Sequence, residues 1–243
     1  MIYKNPIPAS ELWSLDIDLN RDLAFLMEAS LKRRGIQTGQ RDPVYEYFNF
    51  IKRTVAIRPR RIVRSEKFHV PPEYEKALEY FENDVKTGRD LNKYLSGSIL
   101  QPAEPDELLY DWNIVHFHLT KRFREDGFAK RSDYQIFAWV AEDCLYMIQI
   151  YPHDLRKEPF LYAKQELVRI VERNWPQLLE PYRIPGAFEL TEKLDDEAYD
   201  RIHKAHITTG VQTRKGHVYC MIGGGYASDG SSGEAMRNAN FWQ

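Results

Sequence analysis

The stretch "DYQIFAWVAEDCLYMIQIYPH" (133–153) restricts the fold more than any other part of this chain. Two runs rich in Ile, Val, Tyr, Phe and Trp flank a short break, Ala141-Glu142-Asp143. β-Branched and aromatic side chains fit a pleated surface, and a short polar break between two such runs predicts a β-hairpin. Glu142 and Asp143 are then turn acids. Residues 112–120 alternate apolar and polar in the same manner and predict a further strand.

Elsewhere the periodicity is helical. Leu12, Leu15, Leu19, Leu23 and Leu26 recur at helical spacing behind a cap at Ser10 and stop at Gly35, predicting a first helix. "PVYEYFNFIKRTV" (43–55) predicts a shorter second one. In the window 58–67, Arg58, Arg60, Arg61, Arg64 and Lys67 face the single acid Glu66. Broken by Ile62 and Val63, this window reads as an exposed strand with its arginines on one side. Pro71 and Pro72 open a third helix whose stripe Tyr74, Ala77, Leu78, Phe81 and Val85 ends at Gly88. Residues 96–108, "SGSILQPAEPDEL", are rich in turn chemistry and mark a linker. It divides a mainly helical N-terminal region with a basic strand segment (1–105) from an α+β domain (106–243). Within the latter, "EPFLYAKQELVRIVERNWPQLLE" predicts an amphipathic helix broken at Pro176, and "DDEAYDRIHKAHI" a short helix running into a strand. Residues 213–242 predict a strand, a glycine loop and a terminal helix or turn. The sum is an α+β fold, a mainly helical N-terminal half and a C-terminal half built on an antiparallel sheet with packed helices.

Composition narrows the functional classes. A hydrophobic fraction of 43% with 13% aromatic residues is ample for a packed core. The longest apolar run, "IFAWVA" (136–141), falls far short of the ~20 residues that a membrane helix needs. The start "MIYKNPIPAS" lacks the apolar core of a signal peptide. These features predict a soluble, cytoplasmic protein with no membrane contact. Cys144 and Cys220 sit among apolar neighbours and read as buried free thiols, and two cysteines exclude a zinc site of several thiolates. A formal charge of −2 places no global demand for nucleic acid, so any electrostatic footprint has to be local.

The chemistry concentrates in "DWNIVHFHLTKRFREDG" (111–127). Residues two apart in a strand share a face, so His116, His118 and Thr120 lie on one side and Val115, Phe117 and Leu119 on the other. Lys121, Arg122 and Arg124 follow at the rim, where phosphate is the matching ligand. Three readings compete. In the first, two histidines move protons in a phosphodiester transfer whose nucleophile is the 2′-hydroxyl of RNA, since imidazole titrates near neutral pH. That reaction requires neither metal nor cofactor. Its set would be His118 and His153 as acid and base, His116 and Thr120 beside them, and Lys121, Arg122 and Arg124 on the phosphate. In the second, the His-x-His pair binds a metal as in cupins, but the glutamate expected three to four residues on is missing and Glu125 comes too late. In the third, the histidines are simply hydrogen-bonded within the sheet.

His153 closes the second hairpin strand beside Asp154 and Arg156, at the kind of strand end that hosts functional groups. "HIT" (206–208) repeats the form of "HLT" (118–120) and resembles the paired motif of the two-histidine phosphoesterases. That resemblance implies two adjacent strands on which His118, Thr120, His206 and Thr208 grip one phosphate. The sequence departs from the family pattern where Lys121 and Thr209–Gly210 replace a longer apolar strand. "GGGYASDGSSGEA" (223–235) is a candidate phosphate cradle through the N–H groups of Gly224 and Gly225. It matches neither the P-loop nor the dinucleotide fingerprint. As a set, "TGRDLNKYLS" (87–96), "DWNIVHFHL" (111–119), "NWP" (174–176) and the late "GGG" are similar to a group of uncharacterised bacterial proteins. That resemblance implies a bacterial or phage-associated cytoplasmic protein and carries no activity.

The expectation is a metal-independent endoribonuclease of the toxin or defence type, with RNA or another phosphodiester as its substrate. The opposing expectation is a non-catalytic RNA- or protein-binding regulator, for which another protein would be the partner. A His-ligated metal enzyme is the remaining alternative.

Overall fold

A computed structural model describes residues 17–38, 41–101 and 104–242. Ser10, Leu12 and Leu15 lie outside the described residues. Helix α1 (Leu19–Lys32) begins where the Asp18 carboxylate accepts from the Arg21 N–H at 3.0 Å. Its buried residues are Met27 and Leu31, whereas Leu19 and Leu26 of the expected stripe are exposed. Helix α2 (Pro43–Arg53) starts on Asp42 with Pro43 in its first turn, where the missing proline N–H costs nothing.

Strand β1 (Arg61–Arg64) is the basic window. Its charges are largely taken up within the protein. Arg58 pairs with Glu142, Arg61 with Asp143 at 3.0 Å, Arg64 with Glu82 and Lys67 with Glu166 at 2.9 Å. Arg60 is buried and donates to the Ala141 and Ala56 carbonyls. Helix α3 (Glu75–Thr87) ends as expected at Gly88, whose φ of 69° only glycine adopts without strain.

After α4 (Glu107–Trp112) come β2 (Val115–His118), β3 (Tyr134–Val140) and β4 (Cys144–Pro152). The hairpin falls where the sequence places it, with its turn at 141–143. The four strands form one sheet in the order β1-β4-β3-β2. It is mixed, because β1 pairs parallel with β4 while the other two pairings are antiparallel. Strand β1, from the N-terminal half, is thus an edge of the same sheet that carries the histidines.

Each face of the sheet has its own core. Phe117, Ile136, Ala138, Leu145 and Met147 face Leu78, Phe81 and Val85 of α3. On the other face, Phe137, Trp139 and Ile148 pack with Leu167, Val168, Ile170 and Val171 of α5 (Gln165–Asn174). Removing such side chains from water contributes about 1.5–3 kcal/mol apiece. Helix α6 (Asp196–Lys204), the small hairpin β5 (Val211–Arg214) and β6 (His217–Tyr219), and α7 (Gly233–Trp242) complete the chain. Among the described residues, no helix is long and apolar enough to cross a membrane.

One sequence expectation changes here. Residues 206–208 do not form a strand: His206 has φ 54° and the chain bends away after α6. Within the segment expected to be a linker, Ser96, Ser98, Ile99 and Glu104–Leu108 line a cavity.

Candidate active site

β2 is an edge strand, and α5 covers only part of the sheet face on which His116 and His118 stand. The strip left open is occupied by a cavity of ≈ 360 Å³. It is lined by His116, His118, Gln135, His153 and Tyr162, together with Arg53, Ser96, Ser98, Ile99 and Glu104–Leu108. A second, more open and basic groove adjoins it, lined by Gly97, Arg124, Lys130 and Arg131. Ser96, His118 and His153 belong to both. The two histidines stand at the junction, with ring centroids 5.4 Å apart.

That encounter depends on a β-bulge. Opposed residues of an antiparallel pair share a face, and His118 is opposite Gln135, which is opposite Tyr151. His153, two residues beyond Tyr151, keeps that face and donates its backbone N–H to the Asp133 carbonyl at 2.7 Å. The register begins at Val140↔Leu145 and shifts by one residue between Phe137 and Ala138, leaving Ile148 as the extra residue. Continued without that shift, it would have turned His153 to the α3 side. The bulge carbonyl, Ile148 O, accepts from the buried Ser65 Oγ at 2.6 Å.

Hydrogen bonding sets the tautomer of His118. Ser132 Oγ donates its one proton to the Tyr134 carbonyl and accepts from the Leu119 N–H at 3.0 Å. Its contact with His118 Nδ1, at 3.5 Å, therefore has Nδ1–H as the donor. Nε2 is left with a lone pair, the form a general base requires. Burial, followed by the neighbouring His116, His153, Arg131 and Arg124, pushes His118 down to about 4. His153 is also lowered, first by burial and then by Arg131. Arg131 Nε lies 3.3 Å from His153 Nδ1, and the Ser132 carbonyl lies 3.3 Å from the same nitrogen. Each tautomer of His153 thus satisfies one of these neighbours and aims the opposite kind of Nε2 outward.

His116 packs against Tyr162, with centroids 5.1 Å apart, and its buried Nδ1 has no hydrogen-bond partner among the described residues. The Tyr162 hydroxyl donates to Gln135 Oε1 at 2.9 Å. No family model, curated protein or solved structure matches the chain. The site is therefore read from its own geometry. Among the described residues, no group of three or more His, Cys, Asp and Glu is placed to hold a metal ion.

Several expected site residues lie elsewhere. Thr120 is past the end of β2, where its Oγ1 accepts from the Arg122 N–H at 3.0 Å, and it does not line the cavity. Lys121 and Arg122 are exposed and line neither compartment, because the chain turns outward after Leu119. Arg124 does reach the groove, although it also pairs with Asp126 at 2.9 Å. Gly224 and Gly225 are not a phosphate cradle. The N–H groups of Gly223, Gly224 and Gly225 donate to the carbonyls of Asp111, Met221 and Tyr110, so the glycine loop satisfies the end of α4 instead. His206 stacks near Tyr226, and Thr208 Oγ1 accepts from the Tyr226 N–H at 2.9 Å. Residues 206–208 are not a strand, and among the described residues β2 pairs in the sheet with β3 alone, so His206 and Thr208 are not on a strand beside His118.

Sequence reasoning missed Arg131, Lys130, Gln135, Tyr162, Arg53 and Glu107. Lys130 and Arg131 carried a usable signal, since they directly precede the hairpin strand that pairs with "HFH". Glu107 had none. It is half-buried, lines the cavity and, among the described residues, makes no hydrogen bond or ion pair through its carboxyl group, whose pKa burial raises while His203 and Lys204 oppose the rise.

Proposed function

We propose that this protein cleaves RNA phosphodiester bonds at the His118–His153 junction, with no metal taking part in the step. One observation carries the reading: two imidazoles meet, with centroids 5.4 Å apart, where a partly enclosed cavity joins a more open basic groove. The phosphate would sit at that junction beside Arg131. His118 Nε2 accepts the proton of the 2′-hydroxyl as the 2′-oxygen bonds to phosphorus. The P–O5′ bond breaks, and His153 gives a proton to the departing 5′-oxygen. The products are a 2′,3′-cyclic phosphate and a 5′-hydroxyl, and no oxidant or co-reactant is needed. His153 is lowered in the free protein partly because Arg131 repels its proton. An incoming anionic phosphodiester reverses the sign of that local field and favours the imidazolium the acid role requires.

A second reading, a non-catalytic binder of phosphate-bearing RNA or of an acidic protein segment, is favoured by the basic groove alone. One experiment separates the two. The purified protein is incubated with RNA in excess EDTA, and the termini are analysed by mass spectrometry. Cyclic phosphate ends are expected, with His118→Ala and His153→Ala each at least ~100-fold slower, the usual scale for losing an acid or base. Lys121→Ala is expected to match the parent. Intact RNA, or alanine variants that cleave as well as the parent, would overturn the catalytic reading; binding without cleavage supports the second.

A further inference from the structure

The cavity and the groove differ in chemistry, and the difference bears on which nucleotide lies on each side of the histidines. The groove is open and cationic, with Arg124, Lys130 and Arg131. The cavity is more enclosed. It mixes apolar surface from Leu95, Ile99 and Leu108 with the flat ring of Tyr162, and is also lined by Glu107, whose carboxyl group makes no hydrogen bond or ion pair among the described residues and has His203, Asp200, Lys204 and His206 as charged neighbours. Its other acids differ in standing: Asp106 spends an oxygen on the Leu109 N–H at 3.1 Å, and Glu104 is exposed. Arg53 also lines the cavity. It is 4% exposed and donates to the Gln101 and Glu104 carbonyls, and among the described residues its buried Nη2 has no hydrogen-bond partner. No carboxylate among the described residues forms an ion pair with it. The lining therefore contains a two-oxygen acceptor and a buried guanidinium that has no carboxylate partner among the described residues, together with the Tyr162 ring.

The four RNA bases answer such a wall differently. Unstacked bases are read on their Watson–Crick edges and by stacking on aromatic side chains. Guanine alone presents two adjacent donors, N1–H and N2–H, which match both oxygens of a carboxylate, beside an acceptor, O6. Adenine sets one donor beside one acceptor, cytosine one donor beside two acceptors, and uracil one donor between two carbonyls. A volume of ≈ 360 Å³ is within the range of small-ligand pockets, at roughly 300–1,000 Å³.

We propose that the cavity is a guanine-reading subsite, in which Glu107 accepts from the N1–H and N2–H donors and the Arg53 charge favours the O6 side, while the groove holds the phosphates of the adjoining chain. This rests on the reading of the histidines as the place of the scissile phosphate, but its test does not depend on cleavage.

Affinities of the full chain for 3′-GMP, 3′-AMP, 3′-CMP, 3′-UMP and 3′-IMP would be measured by isothermal titration calorimetry. GMP is expected to bind at least ~10-fold more tightly than the other three standard nucleotides, and inosine monophosphate, lacking the 2-amino group, to lose roughly 5–10-fold against GMP. In Glu107→Gln the GMP-to-AMP ratio is expected to collapse to near one, because the amide opposes one guanine donor with a donor. Thermal unfolding of the variant, expected to match the parent because the carboxyl has no partner to lose, guards against misfolding. Equal affinities for all four nucleotides, no binding of any, or an unchanged ratio in Glu107→Gln would overturn the subsite. Cleavage of RNA with no preference at guanosine would also overturn it while leaving the histidine reading intact. Guanine-selective, Glu107-dependent binding without any cleavage would sustain it and overturn the catalytic reading instead.

Discussion

Acid should reveal the state of His118. The side chain is 7% exposed, and burial with its cationic neighbours holds it down at about 4, against about 6.5 in an unfolded chain. Between those two values the unfolded protein binds a proton that the folded protein refuses. Stability from the neutral imidazole is therefore complete above pH ~6.5 and is lost as the pH falls toward 4. At about 1.4 kcal/mol per unit, a gap of roughly two and a half units amounts to ~3 kcal/mol, of which ~2.5 is gone at pH 4.5. Urea unfolding of the parent and of His118→Gln at pH 7.5 and pH 4.5 measures this directly. The glutamine variant is expected to lose ~2.5 kcal/mol less on acidification, because it has no proton to refuse. Proton–carbon NMR of the imidazole Cε1–H signal supplies the matching midpoint, expected near 4 and moving upward when inorganic phosphate is added. A midpoint at 6 or above, or equal acid sensitivity in the two proteins, would refute the reasoning that links burial at the junction to a neutral base.

Other outcomes follow from named contacts. Asp111 and His203 form a fully buried pair, with Nε2 2.6 Å from Oδ2 and both side chains 1% exposed. Asp111→Ala strands the imidazole and should cost about 3 kcal/mol in chemical denaturation, far more than an exposed pair would. Ser65→Ala removes the donor to the bulge carbonyl and should cost ~1–2 kcal/mol; if the bulge weakens with it, the His153 resonances shift as well. Arg131→Ala should weaken phosphate binding by roughly 10-fold and flatten its salt dependence, read by titration at two ionic strengths. An unchanged affinity there would remove Arg131 from the site.

The sequence by itself determined the local elements. The hairpin at 133–153, α3 ending on Gly88, and the strand carrying His116 and His118 over the apolar Val115 and Phe117 were all legible, because a period of two or of 3.6 is written in neighbouring residues. Residues 206–208 were misread for the same reason: three residues carry no period, and the positive φ of His206 is set by its packing beneath Gly230 and Tyr226. The loop glycines looked like a cradle because sequence shows that N–H groups exist but not where they donate.

Tertiary structure decided which histidines meet. His153 stands 35 positions from His118 in the chain, and its side of the sheet follows from one extra residue, Ile148, inside an otherwise regular hairpin. A one-residue shift inverts every side chain beyond it, and no alternation pattern reports such a shift when both faces of the hairpin are apolar, as in "IFAWV" and "LYMIQI". Arg53, Glu107 and Tyr162 join the cavity by the same kind of long-range placement, from the end of α2, the start of α4 and a short 3-10 turn that are adjacent in space alone. The side-chain chemistry was in the sequence; the convergence came from strand register and from the edge position of β2, where the cavity lies beside the part of the face that α5 packs against.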